Sequence, residues 1–377
     1  MRFLARSTTR NLRFPEQRLH PDIPTRTPRF GTAMGVWLDE LFLAFMSTTR
    51  LNPTSEDLDR IDDEVADALV ALDAAGALEN PALAHRTPTG PPAMMTEQRR
   101  YRGVTFERVS FDSNYEPTVQ LPGTVRWQSL PANQRAHAYV LRHAEPRPWL
   151  VQLHGFGMGR ESDLVAMRSL HFHRSLGFNV IHPVFPSHGD RSTGASGEDV
   201  LTLDYLNNVH AVSQAVWEVR QLLAWARRDE TPLAVHGVSM GGYLGALLAG
   251  LAPDLHTVIS GVPTVDLAWV MERHAPPEEL EAMVERDLVG ERAQRIHRVV
   301  SPLAFTPQVP RRRRFVYAGV ADRMATPGQA HRLYSHWEEP QVLWYRGAHV
   351  AFAWSGEVRR FVDRALDDVG LAEEDPI

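Results

Sequence analysis

Ser239 stands in Ala234-Val235-His236-Gly237-Val238-Ser239-Met240-Gly241-Gly242, where a buried apolar strand must turn sharply into a helix. A G-x-S-x-G turn bends so tightly that its serine is held in a strained conformation, and the flanking glycines remove side chains that would collide there. Ser239 is therefore a candidate nucleophile. A serine hydroxyl is weak at neutral pH and needs a base, which in turn needs a group to orient it. Two further glycine-rich strand ends carry suitable side chains: Gly319-Val320-Ala321-Asp322 and Gly347-Ala348-His349. Among 17 histidines, His349 combines such a strand end with a place between the last strand and the last helix, whereas His331 and His336 fall inside a predicted helix. Asp266, just after the preceding strand, is the competing acid.

The elements that must position these groups alternate. From residue 101, Val104 to Phe111 and Ala136 to Leu141 read as an opening antiparallel pair, and Trp149 to Leu153 as a buried strand running into His154-Gly155-Phe156-Gly157. Further strands are predicted at Asn179 to Val184, Leu233 to Val235 leading into the Ser239 turn, Thr257 to Ser260, Phe315 to Gly319 and Val342 to Tyr345, with helices between them. Such repetition implies an α/β fold with a mostly parallel sheet and helices on both faces. In open sheets of this kind, function gathers beyond the carboxyl ends of the strands, where all three candidates lie.

The four motifs ending these strands, in the chain order Ser239, Asp322, His349, resemble those of the α/β-hydrolase superfamily over about residues 101–370. The resemblance implies that Ser239 attacks a carbonyl, that His349 takes its proton and passes it to the leaving group, and that Asp322 fixes the imidazole tautomer. It also implies an oxyanion hole built from the N–H of Met240 and a second N–H, from Phe156 or, with the loop displaced by one residue, Gly157. Phe156 between the glycines departs from the HGGG form of some lipases. The implied activity is cleavage of a carboxylic ester or thioester, a small-molecule acyl substrate, through an acyl-enzyme without metal or organic cofactor. Peptide cleavage and acyl transfer occur on the same fold, and the competing class is a non-catalytic binding protein. Residues 265–300 would form a helical cap insertion whose apolar side, with Trp269, faces the site. His188 and Arg191, at another strand end, are candidates to bind an acidic substrate group.

Residues 1–95 lie outside the resemblance. They comprise a basic, proline-broken arm and a helical segment: an apolar stretch around Met34 to Met46, and an amphipathic helix with Ser55 as N-cap and Leu58, Ile61, Val65, Leu69 and Leu72 on one face. Helices this small cannot bury enough area alone, so they are expected to dock on the main domain. Asp57, Asp59, Asp62, Asp63 and Asp67 read as a solvated face. Arg86 to Pro92 reads as the linker.

The net charge of −6 gives no reason to expect nucleic acid as a partner. The chain has no cysteine, and all 40 basic residues are arginine, so disulfides, thiolate sites and a catalytic lysine are excluded. No metal site is expected, since His171 and His173 lie near a helix end. No stretch reaches the roughly 18 apolar residues needed to span a bilayer. A cytoplasmic protein is expected, with peripheral membrane contact open to the arginine arm and the Trp37 to Met46 segment; the oligomeric state is not legible.

Overall fold

The computed structural model describes residues 20–24, 30–49 and 53–370, so most of the basic arm lies outside the described residues. Among these, nine strands form one sheet in the order β1-β2-β3-β5-β4-β6-β7-β8-β9. They are β1 (Met95–Tyr101), β2 (Val104–Asp112), β3 (Arg135–Leu141), β4 (Trp149–Leu153), β5 (Asn179–Val184), β6 (Leu233–Val238), β7 (Thr257–Gly261), β8 (Arg314–Gly319) and β9 (Gln341–Tyr345). The first three run antiparallel to their neighbours, and from β5 onward every pairing is parallel. Parallel strands place the carboxyl ends of β4, β6, β8 and β9 at one edge, which gathers the four motifs there.

Helices of seven residues or more are α1 (Phe30–Thr49), α2 (Ser55–Ala74), α3 (Tyr205–Ala226), α4 (Met240–Leu251), α5 (Leu267–His274), α6 (Pro277–Glu285), α7 (Glu291–His297), α8 (Pro327–His336) and α9 (Gly356–Gly370). Strands β4 to β7 read as near-continuous apolar runs because both their faces are covered. One apolar cluster joins Val235 and Leu153 to α3 and α4, and a second joins Phe315 and Tyr317 to α9 on the other side.

The N-terminal helix α2 belongs to the first cluster. Its Leu58, Ile61, Val65, Ala68 and Leu72 are buried together with Met271, Met283, Leu288 and Ile296 of the 265–300 insertion. Burial of a Leu, Ile or Val side chain contributes about 1.5–3 kcal/mol, so this face explains why α2 is held on the body. These side chains of the insertion, expected to face the site, join α2 and α3 in this cluster. The acidic face of α2 is likewise only partly solvated, because Asp59 pairs with Arg286 and Asp62 with Arg292 of the insertion. The N-cap is Thr54 rather than Ser55, in a capping box with Asp57. Strand β1 was not expected, since its residues are exposed and mostly polar along a sheet edge.

Candidate active site

Ser239 occupies φ 56°, ψ −117°, a conformation that L-residues rarely adopt. The surroundings impose it. A side-chain carbon at Gly237 would lie 1.9 Å from the Gly241 carbonyl oxygen, and one at Gly241 would lie 2.0 Å from that of Leu153. The Ser239 N–H donates to the Gly261 carbonyl of β7 at 2.9 Å, which ties the turn to the neighbouring strand. Ser239 stays half-buried while its flanks are buried, so its hydroxyl is reachable. Gly155, at the end of β4, is so close that a side-chain carbon there would stand 3.6 Å from Ser239 Cβ.

His349 and Asp322 are in contact: Nδ1 of the imidazole lies 2.7 Å from Oδ2 of the carboxylate, both buried. The other carboxylate oxygen accepts from the N–H groups of Met324 and Ala325 at 2.8 and 2.9 Å, which fixes the acid's orientation. The two loops are knitted together: the Ala321 N–H donates to Gly347, and the Tyr345 hydroxyl donates to Ala348. Burial alone would lower the His349 pKa, but the charges of Asp322 and Asp39 outweigh it and hold the imidazole above its ordinary value. Asp266 is elsewhere engaged, capping α5 through the Trp269 N–H at 3.0 Å and pairing with Arg332 at 2.6 Å.

Around Ser239 several backbone donors have no hydrogen-bond partner among the described residues. Met240 opens α4, where the first N–H groups have no partner within the helix. The N–H groups of Phe156 and Gly157 donate to no protein group among the described residues. The Gly155 N–H, in contrast, is spent on the Met158 sulfur. The loop is anchored by buried His154, whose Nε2 accepts the Phe185 N–H, leaving the proton on Nδ1 to reach the Gly155 carbonyl. Burial, with His188 and His182 nearby, keeps His154 neutral by lowering its pKa well below the usual value.

The residues expected to meet an acidic substrate group are placed otherwise. Arg191 is buried in a two-pronged ion pair with Glu218, at 2.6 and 2.8 Å, and also donates to the Val184 and Asn133 carbonyls. Its charge is matched inside the protein. His188 is fully buried, with Nδ1 on the Pro186 carbonyl and burial pushing its pKa down to about 4, so it carries no charge to offer an anion. Trp269 is half-buried at the start of α5 under the Arg273 guanidinium.

One residue at the site was missed in the sequence. Asp39 of α1 is fully buried, and its carboxylate accepts from the N–H groups of His349 at 2.8 Å, Val350 at 3.1 Å and Arg323 at 3.1 Å. A signal was present: in the Met34 to Met46 run, Asp39 and Glu40 alone are charged.

This sheet order, with a strained serine after β6, Asp322 after β8 and His349 after β9, is that of the α/β-hydrolase fold. Two solved structures share the fold: an acetyl xylan esterase from Paenibacillus sp. R4 (TM-score 0.54, 16% identity, covering 81% of this chain and 95% of that one), and acetyl xylan esterase 1 from Thermoanaerobacterium sp. JW/SL YS485 (TM-score 0.51, 15% identity, 85% and 96%). The chain belongs to the same family as two uncharacterized Mycobacterium tuberculosis proteins. These are MT2702 of strain CDC 1551 / Oshkosh, 39% identical over 364 residues, and Rv2627c of strain ATCC 25618 / H37Rv, 38% identical over 364 residues; both comparisons cover 94% of this chain and 86% of the relative. No protein-family model matches the chain.

Proposed function

We propose that the chain is a serine hydrolase that cleaves a carboxylic ester or thioester through an acyl-enzyme. The observation carrying this reading is the strained Ser239 at the sheet edge that also holds the 2.7 Å Asp322–His349 pair. In the proposed cycle the Ser239 oxygen bonds to the substrate carbonyl carbon as its proton passes to His349 Nε2. The resulting oxyanion takes hydrogen bonds from the Met240 N–H and from Phe156 or Gly157, each donor contributing on the order of 3–4 kcal/mol to the barrier reduction. Collapse breaks the bond to the alkoxide or thiolate, which leaves with the His349 proton. Water then attacks the acyl-enzyme by the same route and releases the acid.

The two acetyl xylan esterases that share the fold make short acyl esters the first substrates to screen, with Trp269 proposed as part of the acyl wall. Labelling with a fluorophosphonate probe, followed by esters of graded chain length, tests the reading. A labelled Ser239 and turnover of at least one ester support it, whereas an intact, unlabelled chain favours a non-catalytic binding protein. Peptide cleavage or acyl transfer to an alcohol would appear as activity on peptides or as ester products. Peripheral membrane contact is a second reading, favoured by Met34, Trp37 and Leu41, which stand exposed at i, i+3 and i+7 on α1. Co-sedimentation with anionic phospholipid vesicles, lost in Trp37→Ser, would support it.

A further inference from the structure

Helix α1 has two different sides. Gly35, Asp39 and Leu43 recur every four residues and are buried against the body, while Met34, Trp37 and Leu41 face outward. The inward side meets the histidine loop directly. A side-chain carbon at Gly35 would stand 3.1 Å from Ala348 Cβ and 3.6 Å from Ala351 Cβ, so a larger residue would lift the helix away. One turn on, Asp39 is brought against the backbone of two loops that carry the catalytic candidates. Its Oδ2 accepts from His349 and Arg323, the latter directly following Asp322, and its Oδ1 accepts from Val350. The neighbouring Glu40 pairs with the Arg323 side chain at 3.2 Å.

A carboxylate sharing three backbone N–H donors between two loops fixes their separation, and hence the distance over which Asp322 orients His349. We infer that Asp39 is a positioning residue of the active site: the N-terminal helix supplies a buried carboxylate that clamps the acid loop to the histidine loop. This rests on the assignment of His349 and Asp322 as base and orienter. The clamp is also electrostatic. Asp39 itself is pushed up to about 6 by burial and by Asp322, against the opposing effects of His349 and its backbone donors. When ionised it raises the His349 pKa alongside Asp322. Other groups at this joint include the Glu40–Arg323 pair and the Tyr345 hydroxyl, which donates to the Ala348 and His349 carbonyls.

The test compares Asp39→Asn with the unaltered chain in three measurements. Asparagine keeps the shape but turns one acceptor into a donor facing an N–H. The first is kcat and KM on an activated ester, normalised to serines labelled by fluorophosphonate. A misplacement near 1 Å lowers the rate by up to about 100-fold, and the loss should fall in kcat with KM little changed. The second is the acidic limb of the pH–rate profile, which should move to lower pH. The third is amide hydrogen exchange over residues 320–326 and 346–351, which should quicken in the variant. Full kcat per labelled serine, an unmoved limb and unchanged exchange would overturn the clamp, as would a loss of stability alone. Should Asp39→Asn fail to fold, Gly35→Val provides the lifted helix, with the same directions expected and the same null results overturning. If the unaltered chain proves inert toward the probe and all esters, the hydrolase reading fails, and the exchange measurement still decides whether Asp39 holds the two loops.

Discussion

Gly241→Ala puts the strain of the serine turn to a quantitative test. The added carbon would lie 2.0 Å from the Leu153 carbonyl oxygen and 2.6 Å from that of His154, whereas ordinary contact begins at 3.4 Å. The end of β4 and the turn must therefore separate by about 1.4 Å. Both sides of that contact carry proposed oxyanion donors, Met240 on one and Phe156 or Gly157 on the other. Since about 1 Å of misplacement can lower a rate by roughly 100-fold, a loss of that order is expected in the fluorophosphonate labelling rate and in ester turnover. Overpacking should lower stability by about 1–3 kcal/mol in denaturant unfolding. Gly245, four residues along α4, supplies the control: its added carbon would meet Val235 at 3.4 Å. Gly245→Ala should be neutral or stabilise by up to about 1 kcal/mol through helix propensity, with unchanged labelling. If Gly241→Ala labels within a factor of a few of the parent and is equally stable, the steric account of the turn is wrong.

The acid assignment predicts that Asp322→Asn lowers kcat by about 10⁴-fold, while Asp266→Asn, which disturbs a helix cap and its partner Arg332, lowers stability with a far smaller effect on turnover; the reverse ranking would move the acid to Asp266. Because general base action requires neutral His349 and its pKa is held above the ordinary 6.5, kcat/KM should rise with pH through a limb lying above 6.5, and a limb below that value would contradict the site electrostatics. The same shift makes His349 stabilise the fold at low pH and lose that contribution as pH rises through its folded-state pKa. Glu218→Gln leaves the buried Arg191 charge without its partner and should cost about 3–5 kcal/mol in denaturant unfolding, whereas an exposed Arg191 would give almost no change.

What was legible in the sequence follows from how local each cause is. Gly237 and Gly241 act over two residues, so the serine turn could be read directly, and the apolar runs of β4 to β8 announced buried strands. Asp322 and His349 stood out as candidates because each follows a strand end, although only the sheet order β6-β7-β8-β9 brings those ends to one edge, where the two side chains meet. Asp39 was hidden because its hydrogen-bond partner His349 lies 310 residues away, and no local pattern pairs an acid with distant backbone donors. Arg191 and His188 were misread for the same reason: their position after β5 suggested a cleft, while Glu218 of α3, 27 residues on, decides where the guanidinium goes. The apolar residues of the insertion could have faced either a pocket or a core. They share a cluster with α2, and nothing within 265–300 records that helix.

Ser239 is proposed to form the covalent intermediate. Intact-protein and peptide mass spectrometry after reaction with a fluorophosphonate, and after brief quenching with an activated ester, measures this directly. One added group per chain is expected on the peptide containing Ser239, absent in Ser239→Ala and sharply slowed in Asp322→Asn. Modification at any other residue, or turnover that persists in Ser239→Ala, would contradict it.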